Sequence, residues 1–214
     1  MNQRYWVIDT EGNGANPSEI IQLGMVEMTG NDITGRTHLW HFRPTTPITP
    51  YVERMTGITN ASIADQPNFS EKSEEILDAI GDTPIIAHAA DADYEGLKRM
   101  MPQWKPDQVI CTLRIARQIY GKHNKNGLDA LGKRHNLIER AQQVVGGRRH
   151  NALTDAMICA LLYQELVAEY PERMTKLIKS ADLIKLHVQK ELNQQRQAMK
   201  RQQRENARHA TQAI

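Results

Sequence analysis

The sequence predicts an α/β fold: a mixed five-stranded sheet with flanking helices, followed by a helical C-terminal extension. Two apolar runs joined by the turn cluster Thr29-Gly30-Asn31-Asp32 predict an antiparallel start. Strand-like and helix-like stretches then alternate, which predicts one layered α/β domain of roughly 170 residues. The domain is assigned to residues 1–171 and the extension to 172–214.

Residues 4–9 read as a short buried strand that stops at an acid. Residues 20–28 and 37–42 give the second and third strands. Pro44, Pro47 and Pro50 break the pattern, and a short helix follows from Tyr51. A helix over 70–80 carries the polar face Glu71, Lys72, Glu74, Glu75 and Asp78. Pro84-Ile85-Ile86-Ala87-His88 is the fourth strand, and residues 91–101 are helix-like. Gln108-Val109-Ile110 gives the fifth strand, with helical patterns near 113–119 and 128–135. Asn151 is placed to cap a long helix ending near Tyr170-Pro171. In the extension, Met174, Leu177, Ala181, Ile184 and Val188 recur at steps of three and four, a stripe able to pack against the body or a second chain.

Composition bounds the function. At 40% hydrophobic and 24% charged, the chain belongs with globular proteins and not with disordered ones. No apolar run approaches the ~20 residues that span a bilayer, and residues 1–4 do not read as a signal peptide. A cytoplasmic protein with no membrane contact is expected. Cys111 and Cys159 sit among apolar neighbours, as reduced core thiols do. The net charge of +2 is unevenly spread: residues 190–214 carry +4, leaving −2 on the rest. A solvated helix explains such a tail, and so does an arm for nucleic acid.

Acids gather where the strands end. Asp9 and Glu11 flank Thr10, and residues i and i+2 on an extended chain point the same way. Two such carboxylates repel unless a cation lies between them. Asn13-Gly14 then lets the backbone turn and approach a ligand closely. Asp91 and Asp93 follow the fourth strand, although an acidic helix start has its own explanation in the helix dipole. His150, beside Arg148-Arg149, lies in the loop before the long helix, and Asp155 enters that helix one turn in. Asp155 precedes an apolar run, so an acid there needs a partner. Oxygen donors with one movable histidine suit Mg²⁺ or Mn²⁺. The chemistry that needs several acids around hard cations is phosphoryl transfer, with two ions about 4 Å apart.

In this order the motifs resemble those of the DEDDh family of 3′→5′ exonucleases, over about residues 4–170. Asp9-Thr10-Glu11-Gly12-Asn13-Gly14 is similar to the family's D-T-E-T-T-G. His88-Ala89-Ala90-Asp91-Ala92-Asp93 resembles H-N-A-x-F-D, and His150-Asn151-Ala152-Leu153-Thr154-Asp155 matches H-x-x-x-x-D. Cys111-Thr112-Leu113-Arg114-Ile115-Ala116-Arg117 and Leu128-Asp129-Ala130-Leu131 look like family segments too. The branches nearest in pattern are exonuclease X and the proofreading (epsilon) subunit of bacterial DNA polymerase III. Ala89, Ala92 and Thr56 depart from the family, which has Asn, Phe and often His there.

The resemblance implies a ribonuclease H-like fold and a metal-dependent 3′→5′ exodeoxyribonuclease with two Mg²⁺ (or Mn²⁺) ions. It makes Asp9 the bridge between the ions, with Glu11 and Asp155 completing one site and Asp93 acting largely through water. His150 becomes the general base. Thr10, Gly12, Asn13, Gly14 and His88 become substrate contacts. Asp93, five after His88, is the functional acid and Asp91 a bystander. Single-stranded DNA or frayed 3′ ends are the expected partners, with self-association or a protein partner through 172–214 as a further expectation. RNA as substrate, as in relatives of oligoribonuclease and ribonuclease T, is the alternative within the family. A nucleic-acid-binding module on an inactive scaffold is the alternative outside it.

Overall fold

The computed structural model describes residues 3–212, with side chains through residue 199. Its five strands are β1 (Arg4–Gly12), β2 (Ile20–Thr29), β3 (Asp32–His41), β4 (Ile85–Ala87) and β5 (Val109–Cys111), in the order β3-β2-β1-β4-β5. The β1–β2 and β2–β3 pairs are antiparallel, and β1–β4 and β4–β5 are parallel. The expected mixed sheet is therefore present. The first strand runs past Asp9 to Gly12, held by pairing of Thr10 with Leu23 and Glu11 with Gln22.

Helices α1 (Pro50–Thr56), α2 (Phe69–Ile80), α3 (Asp91–Met100), α4 (Thr112–Tyr120) and α5 (Leu128–Arg134) fall where the sequence predicts helix. Helix α6 (Leu137–Val145) was not predicted. Asn136, at φ 52°, separates it from α5, and Leu137 and Ala141 bury its inner face. Helix α7 (Ala152–Glu169) starts after the Asn151 cap, whose side chain accepts from Thr154 N.

Alternation along the strands builds two cores. Val7, Val26, Ile86 and Ile110 face α7, while Trp6, Ile8, Leu23, Ile85 and Val109 pack with residues of α2 and α3. Helix α7 is apolar on nearly all sides and lies buried across the sheet, burying Ala156 through Tyr163 without a break. Both cysteines are buried free thiols.

The C-terminal segment is divided. Helix α8 (Pro171–Ser180) belongs to the body: Met174, Leu177 and Ala181 are in the core, and Cys111 N donates to Ala181 O at 3.1 Å. Asp182 bridges to Ile110 and closes the outer edge of β5. Helix α9 (Leu183–Gln212) begins there. Of the expected stripe, Met174, Leu177 and Ala181 are buried and Ile184 packs against the core, whereas Val188 is exposed. The arm side chains Lys200, Arg201, Arg204 and Arg208 lie outside the described residues. No helix among the described residues is long and apolar enough to cross a membrane.

Candidate active site

The acids meet because of strand parity. Asp9 and Glu11 share the face of Val7, toward α7, which carries Asp155 in its first turn. Thr10 points to the opposite face and reaches α3: its backbone N and Oγ1 donate to Asp93 Oδ1 at 2.9 and 2.8 Å. These bonds fix Asp93 beside the strand end.

Two unpredicted residues set the depth of Asp155. Gly24 pairs with Asp9, and a Cβ on it would collide with the backbone of Ala152 and Leu153. The missing side chain lets the start of α7 lie directly on β2. Gln22 is buried, and its Oε1 accepts the Ala152 N–H at 2.7 Å. That satisfies one of the donors left open at a helix start. Neither role shows in local pattern, since both depend on a partner 128 or 130 residues away.

Glu11, Asp93 and Asp155 are only 8%, 5% and 3% exposed. Burial pushes the Glu11 carboxyl up to about 7, with Asp155 adding repulsion and Arg149 opposing it. Burial pushes Asp93 up to about 6 against the two bonds from Thr10. Asp9 is driven well above the usual carboxylate range by loss of water, then by Asp93, Asp155 and Glu11. Burial also raises Asp155, opposed by Arg149 and by the His150 N–H on Oδ2 at 3.2 Å.

One ligand atom each from Glu11, His150 and Asp155 lie within 4.8 Å of one another. The donor set is oxygen-rich with one imidazole, as Mg²⁺ and Mn²⁺ sites are. Asp155 Oδ1 is buried without a hydrogen-bond partner among the described residues. A buried acceptor left unpaired is unfavourable, and a cation would satisfy it. The residues thus fit a divalent ion.

The remaining expected residues divide. Asp91 is turned away, 3.7 Å from Arg114 and 3.8 Å from His187, so Asp93 is the acid of this turn that joins the cluster. Asn13 is fully buried, and its side chain is taken up by the following loop: Oδ1 accepts from Ala15 N and Glu19 N, and Nδ2 donates to Thr46 O. Its side chain closes the loop, so the substrate contact expected of residues 12–14 falls to their backbone. Gly14, exposed at φ 81°, holds the turn against Thr49. Gly12 closes on Ser18, where a Cβ would collide. His88 Nδ1 lies 2.9 Å from Thr112 Oγ1, and burial pulls its pKa down to about 4, so the ring is neutral at pH 7. Thr112 and Arg149 are further residues of the site that sequence did not single out.

Residues 6–163 match the family described as Exonuclease (RNase_T). DNA polymerase III subunit epsilon of Rickettsia conorii is 29% identical over 186 residues, 82% of this chain and 78% of that one. The subunit of the same name from Pasteurella multocida is 33% identical over 176 residues, 75% of this chain and 66% of its own. Exonuclease X, solved in complex with 5′-overhanging duplex DNA, superposes with a TM-score of 0.64 at 27% identity, covering 82% of this chain and 99% of that chain. The fold is shared with Escherichia coli exonuclease I, at a TM-score of 0.68 and 15% identity over 82% of this chain and 43% of that chain. With its motifs in order on a ribonuclease H-like sheet, the chain belongs to the exonuclease (RNase_T) family, in its DEDDh branch, and is a 3′–5′ exonuclease.

Proposed function

We propose that this exonuclease removes nucleotides from DNA 3′ ends as nucleoside 5′-monophosphates, with two Mg²⁺ or Mn²⁺ ions held among Asp9, Glu11, Asp93 and Asp155. The observation that carries the reading is the convergence of Glu11, His150 and Asp155 beside two further carboxylates. Relatives named as DNA polymerase III subunits, and an exonuclease X solved on DNA, favour DNA over RNA.

Divalent cations bound there supply charge stabilisation for the phosphoryl oxygens during in-line displacement. The side chains of this protein do the rest. His150 takes a proton from the attacking water at an imidazole nitrogen. The water oxygen bonds to phosphorus, the P–O3′ bond breaks, and the departing 3′-oxygen takes a proton from solvent, so the shortened strand leaves with a 3′-hydroxyl. Thr10 keeps Asp93 oriented, and Gly12 and Gly14, closed against Ser18 and Thr49, shape the turn whose backbone meets the terminal nucleotide. Residues 1–171 hold the chemistry, and the basic residues from 190 onward add affinity for single strands and frayed ends or meet a protein partner.

A paired assay on 5′-labelled single-stranded DNA and RNA, with Mg²⁺, Mn²⁺ or EDTA, tests this reading. Stepwise shortening of the labelled DNA faster than of the labelled RNA, abolished by EDTA, is the expected result. Faster release from RNA would make it an exoribonuclease. No metal-dependent release from either would leave a binding module. In the same assay His150→Ala should lower kcat by roughly 10²–10⁴ and flatten the acid limb of the pH–rate profile. An unchanged limb would assign the proton to another group.

A further inference from the structure

Arg149 stands one residue before the expected base, and its guanidinium lies inside the acid cluster. Its Nη1 pairs with Asp155 Oδ2, the same oxygen that accepts the His150 backbone N–H. Its Nε is 3.8 Å from Asp129 Oδ1, on a residue half exposed at the rim. The side chain is 20% exposed, and both Nε and Nη1 are buried. Its field opposes the mutual repulsion of Asp9, Glu11 and Asp155.

Arg148, its neighbour, goes elsewhere and lies across Gly57 at the end of α1. Two adjacent arginines therefore take separate places, and only Arg149 enters the acids. The segment that carries them is not helical: Gly146, Gly147 and His150 have φ of 70°, 75° and 64°. It joins α6 to α7 and holds both Arg149 and the base.

A guanidinium and a divalent ion compete for the same carboxylate. Asp155 Oδ1 is the oxygen left for an ion, while Oδ2 of the same carboxylate holds Arg149 and a backbone N–H, so an ion on this carboxylate brings its charge beside the guanidinium and repels it. We propose that Arg149 is the resident counter-cation of the metal-free site, which a divalent ion displaces from Asp155 toward Asp129. The inference rests on the metal-site reading above. Metal affinity is then the outcome of an exchange. The arginine keeps the acids compatible with folding when metal is scarce and leaves when metal arrives.

Mn²⁺ titration calorimetry on the full chain at pH 8 tests this, with R149Q, R148Q and wild type compared. R149Q should bind Mn²⁺ roughly tenfold more tightly, a modest figure for removing a unit charge a few ångströms from the ion. Its metal-free melting temperature should fall by roughly 2–4 °C, and the two proteins should converge at saturating Mn²⁺. R148Q removes the same charge one residue away and should match wild type in both measurements. A second measurement needs no variant to fold. In wild-type protein the Nε–H resonance of Arg149 should shift on Mg²⁺ addition with the midpoint of metal binding, while that of Arg148 stays. Equal Mn²⁺ affinity in R149Q and wild type, an equal gain in R148Q, or an Arg149 resonance unmoved by Mg²⁺ would overturn the proposal alone. Absence of Mn²⁺ binding in both wild type and R149Q would overturn the metal-site reading and this inference with it.

Discussion

Glu11 and Asp93 keep their protons up to about 7 and about 6 in the folded protein, whereas an unfolded chain releases them near 4.5 and 3.8. A carboxyl raised by folding favours the native state while it is protonated in both states. That contribution is complete below the unfolded values and is lost as pH rises through the folded ones. The metal-free melting temperature should therefore fall between about pH 4 and pH 7, and saturating Mg²⁺ should flatten the fall. Asp9→Asn removes the most crowded of these charges. It should make the metal-free curve shallower while leaving less than a few per cent of the hydrolysis rate. Thermal melts in EDTA across pH, set beside the nuclease assay, check both effects, and a variant with near wild-type rate would remove Asp9 from the metal site. Asp91 and Asp93 offer a second contrast. Asp93 is buried on Thr10 and Asp91 is exposed beside Arg114 and His187, so Asp93→Asn should be inactive and Asp91→Asn close to wild type in the same assay. Asp9, Glu11 and Asp155 stand out in the sequence because acids there end or precede apolar runs, whereas Asp93 was separated from Asp91, and His150 given its role, only by the family resemblance. Arg149 was visible only as part of a basic pair, since nothing local distinguishes an arginine turned into a site from its neighbour turned away.

Helix α7 positions Asp155, and its depth depends on the empty space at Gly24. Gly24→Ala should push the start of α7 off β2. Overpacking of this kind typically destabilises by about 1–3 kcal/mol, and here it should lower activity as well, because the displaced end carries Asp155 and follows His150. Denaturant melts and kcat on one oligonucleotide measure the two losses; a stable and fully active variant would mean that α7 does not need this close approach. Sequence periodicity located α7 well, because an apolar run with an Asn cap is a local signal. It placed the end of β1 too early, at the point where apolar residues stop. What carries the strand on to Gly12 is pairing with β2 across the sheet. It passed over α6 because a left-handed Asn136 splits one helical stretch into two. It set the extension at residue 172, while Cys111 N and Ile110 draw Ala181 and Asp182 back onto β5.

At the scale of the whole molecule, α9 leaves the body near the start of α3, where His187 approaches Asp91. Lys190 and Arg196 are exposed along it. Each phosphate neutralised on a single strand contributes about −0.7 to the slope of log K against log salt, so two or three contacts from the arm steepen it by roughly 1.4–2.1. A chain cut after Lys190 should bind single-stranded DNA more weakly at low salt and show that shallower slope. Anisotropy titrations in EDTA across a salt series measure it, and identical slopes would mean that the arm does not touch nucleic acid. The fold class was legible because alternating strands and helices declare themselves locally; the way the last helices fold back was not, because it is settled against β5. The same long-range dependence acts during synthesis. Asp9 and Glu11 leave the ribosome early, but their counterpart Asp155 arrives only with α7, late in the chain. A nascent chain that stops short of residue 152 carries Asp9, Glu11 and Asp93 but not Asp155. With Asp155 in the proposed metal site, the ability to cut arrives only once nearly all of the folded body has been made.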